Sequence, residues 1–227
     1  MRNVAVAVSV LVIVSVALAA VYFSSVNSQK SQASAADQAL SVGDTFTYKL
    51  TGSTVLGNSD VVTPIEFMQY NNTDYYRVTV TKISGTQVWL DTEWQFNNGT
   101  QVASVQIIDL STGTCADLTG FVYLYPSNLT VSSPLFPFGT SGLSVNSTSV
   151  QKFSNCRRAI DCWSTEDQFV NSADQTGNTM RYDFIIVNFD KQTGMLVDLT
   201  RIEFFTNPEI ELTINWELTS SNVWLVK

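Results

Sequence analysis

Ten residues near the C-terminus, Glu209 to Leu218, alternate without a break. Ile210, Leu212, Ile214, Trp216 and Leu218 are apolar, and Glu209, Glu211, Thr213, Asn215 and Glu217 between them are polar. A period of two places the two sets on opposite faces of a β-strand. On a helix, every face would mix Ile or Trp with Glu. This pattern belongs to an antiparallel sheet with one face buried and one face wet.

The residues upstream extend the pattern. Tyr182, Phe184 and Ile186 alternate with Ile185, Val187 and Phe189, and apolar residues resume at Met195, Leu196, Val197 and Leu199. Between them lies Asp190-Lys191-Gln192-Thr193-Gly194. Asp190 can accept a hydrogen bond from the backbone ahead of it, and Gly194 can adopt the positive φ that closes such a turn. The sequence therefore predicts a strand, a tight turn and two further strands.

A second meander precedes this one. Phe46, Tyr48 and Leu50 share a face after the turn Val42-Gly43-Asp44. Val61 to Tyr70 reads as a strand whose start is demoted by Pro64. Tyr76, Val78 and Val80 alternate with Arg77, Thr79 and Thr81, and Ser84-Gly85-Thr86 turns the chain into Val88 to Phe96. Asn97-Asn98-Gly99 is a hairpin signal, and Val102 to Leu110 is the return strand. The expected fold is all-β: a single curved antiparallel sheet or open barrel built of meanders, with roughly 9–12 strands. Trp94, Phe96, Phe184, Ile186, Ile214 and Trp216 are expected in its core. Ala159 to Trp163 reads as a strand, and Thr165 to Thr179 as a polar loop.

Ser111 to Ser154 joins the two meanders and is rich in Ser, Thr, Gly and Pro. Its apolar islands hold Phe121, Tyr123, Tyr125, Leu135, Phe136 and Phe138. Such residues on a long connection either form a binding loop or plug the sheet. Packing is the commoner fate, so Phe136 and Phe138 are expected in the core.

The N-terminus has a different character. Val4 to Phe23 is apolar except for Ser9 and Ser15, long enough for a membrane span of roughly 20 residues. One N-terminal transmembrane or signal helix is therefore expected over residues 1–26, a polar stalk over 27–41 and an extracytoplasmic β domain over 42–227. Arg2 marks the cytoplasmic side, which puts the domain outside the cell. Ala17-Leu18-Ala19 and Ala33-Ser34-Ala35 have the small residues of a cleavage site, so a cleaved signal peptide and secretion stay open beside the anchor. The expected partner of Val4 to Phe23 is the lipid bilayer. The chain has 20 acidic against 12 basic residues, which argues against nucleic acid as a partner.

The sequence contains no histidine, which removes Ser-His-Asp triads, Cys-His pairs and most zinc sites. No catalytic, cofactor-binding or metal-binding residue is assigned. Cys115, Cys156 and Cys162 are disulfide candidates in an oxidising compartment. If Arg158 to Ser164 is a strand, Cys156 and Cys162 lie too far apart along it to bond, which favours Cys115 paired with one of them. Ser149-Val150-Gln151-Lys152 matches S-x-x-K without the partner motifs that this chemistry needs. Asp91 with Glu93, and Glu209, Glu211 and Glu217, share strand faces at the spacing of about 5–9 Å that glycosidases use. Neighbouring positions on any strand give that spacing, so a solvated face explains them first. Asn71, Asn98, Asn128 and Asn146 head Asn-X-Ser/Thr sequons and are glycosylation acceptors if the chain is exported.

Val42 to Leu50 (VGDTFTYKL), Pro126 to Val131 (PSNLTV), Ser144 to Thr148 (SVNST) and Phe189 to Leu199 (FDKQTGMLVDL) together resemble a group of archaeal exported, membrane-anchored proteins with no assigned activity. The resemblance implies an N-terminal hydrophobic segment and a β-rich ectodomain. The strand–turn–strand at Phe189 to Leu199 is also similar, at the level of fold, to the half-barrels of lipoprotein carriers. The function expected from these readings is a non-enzymatic surface or envelope module, structural or binding a partner, glycan or lipid. The alternative is a carboxylate-based glycan hydrolase.

Overall fold

A computed structural model describes residues 40–57, 63–115, 120–170 and 180–226. The segment Val4 to Phe23 and the stalk to residue 39 lie outside the described residues. No helix among the described residues is long and apolar enough to cross a membrane.

The fold is all-β, a single open antiparallel sheet of nine strands. They are β1 (Thr45–Leu56), β2 (Thr73–Ser84), β3 (Gln87–Phe96), β4 (Gln101–Asp109), β5 (Ser147–Lys152), β6 (Arg157–Val170), β7 (Met180–Asp190), β8 (Leu196–Thr206) and β9 (Glu209–Ser221). The order across the sheet is β4-β3-β2-β1-β9-β8-β7-β6-β5. Two meanders therefore meet where the first strand pairs with the last, Leu50 opposite Trp216 and Tyr48 opposite Leu218.

Alternation in β9 puts Ile210, Leu212, Ile214, Trp216 and Leu218 on the buried face. The register carries that face across the sheet, with Trp216 opposite Leu199, Leu199 opposite Val187 and Val187 opposite Trp163. In β7 this selects Val187 and Phe189 for the core, whereas Phe184 and Ile186 lie on the opposite face, half-buried. The expectation for Phe184 and Ile186 is thus corrected. Both sets of alternating residues in β7 are apolar, so only pairing with β8 and β9 decides which faces inward. Trp94 and Phe96 are half-buried, their rings 4.9 Å apart.

Three elements differ from the expected ones. Ile65–Asn71 is a helix (α1), not a strand, with Pro64 at its N-cap. Proline's fixed φ suits a helix start, and Phe67 and Tyr70, three apart, both meet the sheet at Gly52. A Cβ at Gly52 would lie 2.9 Å from the Phe67 ring, so this position requires glycine. The polar edge strand β5 carries no hydrophobic alternation and went unread in the sequence. β6 continues to Val170, and residues 171–179 lie outside the described ones.

The connection between the meanders covers one face. Phe121, Leu124, Tyr125 and Leu135 are buried. Phe121 packs on Tyr48, Tyr76 and Trp216 at ring separations of 5.6, 6.4 and 6.1 Å. Phe136 is half-buried beside Tyr125, but Phe138 is 78% exposed, which corrects its expected place in the core. Phe138 donates its backbone N–H to Ser111 O, which holds the backbone there while the side chain stays in solvent.

The Asp190 turn anchors the connection. Asp190 is fully buried and takes a two-pronged bond from Arg158, Nε to Oδ1 at 2.6 Å and Nη2 to Oδ2 at 2.8 Å. Thr193 donates both its N–H and its hydroxyl to Oδ2 at 2.8 Å. Gly194 has φ +76°, and a Cβ there would lie 1.8 Å from the Tyr125 carbonyl oxygen. The Tyr125 N–H donates to Gly194 O at 3.0 Å.

Three expectations follow. Removing one partner of a buried charge pair leaves the other unpaired, so Asp190→Ala should lower unfolding free energy by about 3–5 kcal/mol in urea titration. Phe121→Ala should cost about 3–5 kcal/mol by the same measurement. Phe138→Ala should change it by less than about 0.5 kcal/mol.

Candidate functional site

The covered face changes chemistry at its end away from the Asp190 turn. Beyond the row of Trp163, Val187, Leu199, Trp216 and Leu50, the next positions on that face are Thr165, Ile185, Arg201, Ile214 and Gly52. The row after that places Asp167, Asp183, Glu203, Leu212 and Thr54 together, and Arg181 follows on β7. β9 stays apolar throughout, while β7 and β8 turn ionic. Arg181-Tyr182-Asp183 and Arg201-Ile202-Glu203 carry the period-two signal for this change.

These four charges bond to one another. Asp183 Oδ2 accepts from Arg181 Nη2 at 2.6 Å and from Arg201 Nη2 at 3.0 Å. Arg201 Nη2 also reaches Glu203 Oε1 at 2.9 Å. Both arginines are about a third exposed, whereas the carboxylates are mostly buried. Asp183 Oδ1 is buried and has no hydrogen-bond partner. An unsatisfied buried acceptor of this kind costs about 1–3 kcal/mol.

Two tyrosines stand within electrostatic reach of Arg201. Tyr70 comes from α1, 6.0 Å from the Trp94 ring. Burial raises its pKa, with Arg201 lowering and Glu203 raising it further. Tyr123 comes from the connection, 5.9 Å from both Phe121 and Trp216. Burial pushes the Tyr123 phenol up to about 12, against the pull of Arg201. For Arg201 itself, burial opposes the charge, but Glu203 and Asp183 outweigh it and raise the pKa. The result is a cluster of ion pairs with two tyrosines within electrostatic reach of Arg201 and both guanidinium groups partly in solvent.

A second place is a cleft of about 350 Å³ lined by Gln151, Lys152, Phe153, Val197, Asp198, Glu217, Leu218 and Val226. Asp198 lies directly opposite Glu217 across β8 and β9. Burial raises the Asp198 pKa, a 2.7 Å bond from Asn188 Nδ2 lowers it, and the facing Glu217 raises it again. Sequence reading singled out Glu217 but not Asp198. The available signal was an acid set between Val197 and Leu199 at the start of an apolar strand.

The other acids expected from the sequence do not converge. Asp91 and Glu93 are on β3, and Glu209 and Glu211 are on β9, with β2 and β1 between those strands. Glu93 accepts from the Tyr75 hydroxyl and pairs with Arg77 at 3.7 Å. Ser149 and Lys152, three apart on β5, point to opposite faces, so they form no S-x-x-K site. None of Cys115, Cys156 and Cys162 forms a disulfide in the structure. Cys115 bridges to Ile108 of the edge strand β4 and Cys162 lies on β6, near opposite edges of the sheet. The sequon residues Asn71, Asn98, Asn128 and Asn146 are all exposed. Among the described residues, no group of three or more His, Cys, Asp or Glu could hold a metal ion.

No family model and no curated protein sequence matches the chain.

Proposed function

We propose that the chain is a non-enzymatic extracytoplasmic module, tethered to the membrane through Val4 to Phe23, that binds a ligand at the ionic end of the covered face. The observation that carries this reading is the division of that face. Phe121, Leu124, Tyr125 and Leu135 fill it over the aromatic core. A lipid carrier needs an apolar cavity of about 300 Å³ or more there. The ionic end offers solvent-exposed donors instead. Its carboxylates are already engaged by arginine, which suits recognition better than proton transfer.

The second reading, a carboxylate-based hydrolase, rests on Asp198 and Glu217. An acid whose proton is held by burial beside a second acid is the pattern of glycosidase catalysis. The two readings separate in one assay. Incubated with envelope polysaccharides, the protein should retain material and release no new reducing ends. Release of reducing ends that disappears in both Asp198→Asn and Glu217→Gln would replace binding by hydrolysis.

The raised Asp198 pKa also has a sign in stability. The folded state holds the proton more tightly than the unfolded chain, so stability falls as pH rises from the ordinary aspartate range through the folded pKa. Asp198→Asn keeps an acceptor for Asn188 without the charge. Its melting temperature should exceed that of the parent protein at neutral pH, and the difference should vanish below the ordinary aspartate range. An equal difference at both pH values would contradict the assignment.

A further inference from the structure

We propose that the rim of the sheet where the chain enters the fold docks on an anionic membrane surface. Antiparallel order puts the starts of β1, β3, β6 and β8 on one rim with the ends of β2, β4, β5, β7 and β9. Leu40 therefore arrives at the rim that carries the Asp190 turn. Gly43 N–H donates to Val80 O at 2.8 Å, which fixes this entry beside the last turn of chain in β2. The inference goes beyond ligand binding at the opposite rim and takes from that reading only the tether. The 16 residues from 24 to 39 span at most about 55 Å in any conformation, so a tether at Val4 to Phe23 keeps the entry rim near the bilayer.

Val42, Ile83, Phe138 and Leu225 are exposed on this rim. Leu110 N–H donates to Thr86 O and Phe138 N–H to Ser111 O, both at 2.8 Å, which sets Phe138 near the β2–β3 turn and Ile83. Leu225 N–H donates to Asn155 Oδ1 at 3.2 Å, in the turn between β5 and β6. The opposite rim exposes Val55 and Met68, so apolar exposure does not choose between the two. Charge does. Lys82, Lys152 and Arg157 are exposed at the entry rim. Its acids, among the described residues, are engaged. Asp44 accepts from Ser41 N–H at 2.7 Å, and Asp109 accepts from Ser111 N–H and its hydroxyl. Asp161 pairs with Lys191, and Asp190 with Arg158. At the opposite rim Asp74, Glu166, Asp167 and Glu209 are exposed, while Arg181 and Arg201 are paired with Asp183.

A chain of net charge −8 thus presents basic groups at the entry rim and acids at the other. An anionic lipid surface attracts the first and repels the second. The side chains suit the headgroup layer. Lys82 Nζ lies 4.2 Å from the Trp89 ring, and a lysine stem beside an indole is favoured where an apolar phase meets water. Exposed Phe138 can enter the acyl boundary while the cations meet phosphates. Such a patch binds weakly by itself, but a tether raises its effective concentration at the bilayer. An acidic protein would fit the same charges, yet the tether brings the bilayer and no protein to this rim.

The test assembles the purified full chain into nanodiscs of phosphatidylcholine, alone or mixed with phosphatidylglycerol, and follows amide hydrogen exchange. With phosphatidylglycerol, amides at residues 84–87, 138–142 and 153–156 should exchange more slowly than with phosphatidylcholine alone. Those of the β3–β4 turn at 97–100 should not change, and added salt should reduce the slowing. Phe138→Ala, and Lys82→Gln combined with Lys152→Gln, should each remove most of it at an unchanged melting temperature. Equal exchange in the two lipids, or slowing at 97–100 instead, would overturn the proposal. So would slowing that persists in both folded variants. Slowing by soluble polyglutamate but not by phosphatidylglycerol would assign the rim to an acidic protein. A chain that fails to enter nanodiscs would sink the tether and leave the rim to flotation with phosphatidylglycerol vesicles. Flotation lost in the double lysine variant would then support docking, and no flotation of the parent chain would refute it.

Discussion

The buried pair Arg158–Asp190 is the constraint from which most of the structure follows. Two charges withdrawn from water are tolerated only when their hydrogen-bonding capacity is used. Here Asp190 receives both prongs of the guanidinium and two bonds from Thr193. The pair fixes the start of β6 against the β7–β8 turn. Arg158 also lies 4.2 Å from the Trp224 ring, which ties the chain's end to the same point. Its partner turn then holds the long connection. Tyr125 bonds Gly194, Asn128 N–H donates to Lys191 O at 2.6 Å, and Lys191 Nζ bonds Leu129 O and pairs with Asp161 at 3.3 Å.

A connection held at this turn lays its aromatic residues over the sheet in a defined place. Phe121 reaches β1, β2 and β9 together, and Tyr125 packs on Phe189 with tilted rings 4.5 Å apart. One end of the face is therefore committed to stability. The other end, three rows further along β7 and β8, is free to carry ionic groups because Leu212 and Ile214 of β9 keep their burial beside it. The apolar core and the ion pairs occupy different lengths of the same strands. The unsatisfied oxygen of Asp183 is a local departure from good packing, and such departures concentrate where function sets the requirement.

The parts legible in the sequence were those with one polar and one apolar face. β9 declared its orientation because every second residue is Glu, Thr or Asn, and Asp190 to Gly194 declared its turn because those residues have specific backbone chemistry. β7 did not, since either set of alternating residues could be buried and the partner strand chooses. β5 is an edge strand of Ser, Thr and Gln, held by backbone bonds to β6 that leave no trace in hydropathy. α1 is too short for a periodic signal, and its placement depends on a contact with Gly52, remote in sequence. The candidate site was missed for a related reason, since its period-two signal does not say which face it belongs to. Arg181, Asp183, Arg201 and Glu203 belong to no motif, and only the strand register brings them together on one face.

That register also explains how a chain with few charges uses them. Only 14% of residues are charged. Asp161, Asp183 and Asp190 are buried, and each is bonded to Lys or Arg. Fixed charges committed to one another inside the fold cannot also steer a distant partner. The outer surface left to meet a ligand is rich in Ser, Thr and Asn, whose bonds act only on contact. The ligand binding proposed for this module would therefore rest on short-range geometry rather than on long-range attraction. The end of β7 and β8 carries ion pairs with partly exposed guanidinium groups, while the Asp198–Glu217 cleft carries facing acids with Lys152 in its lining.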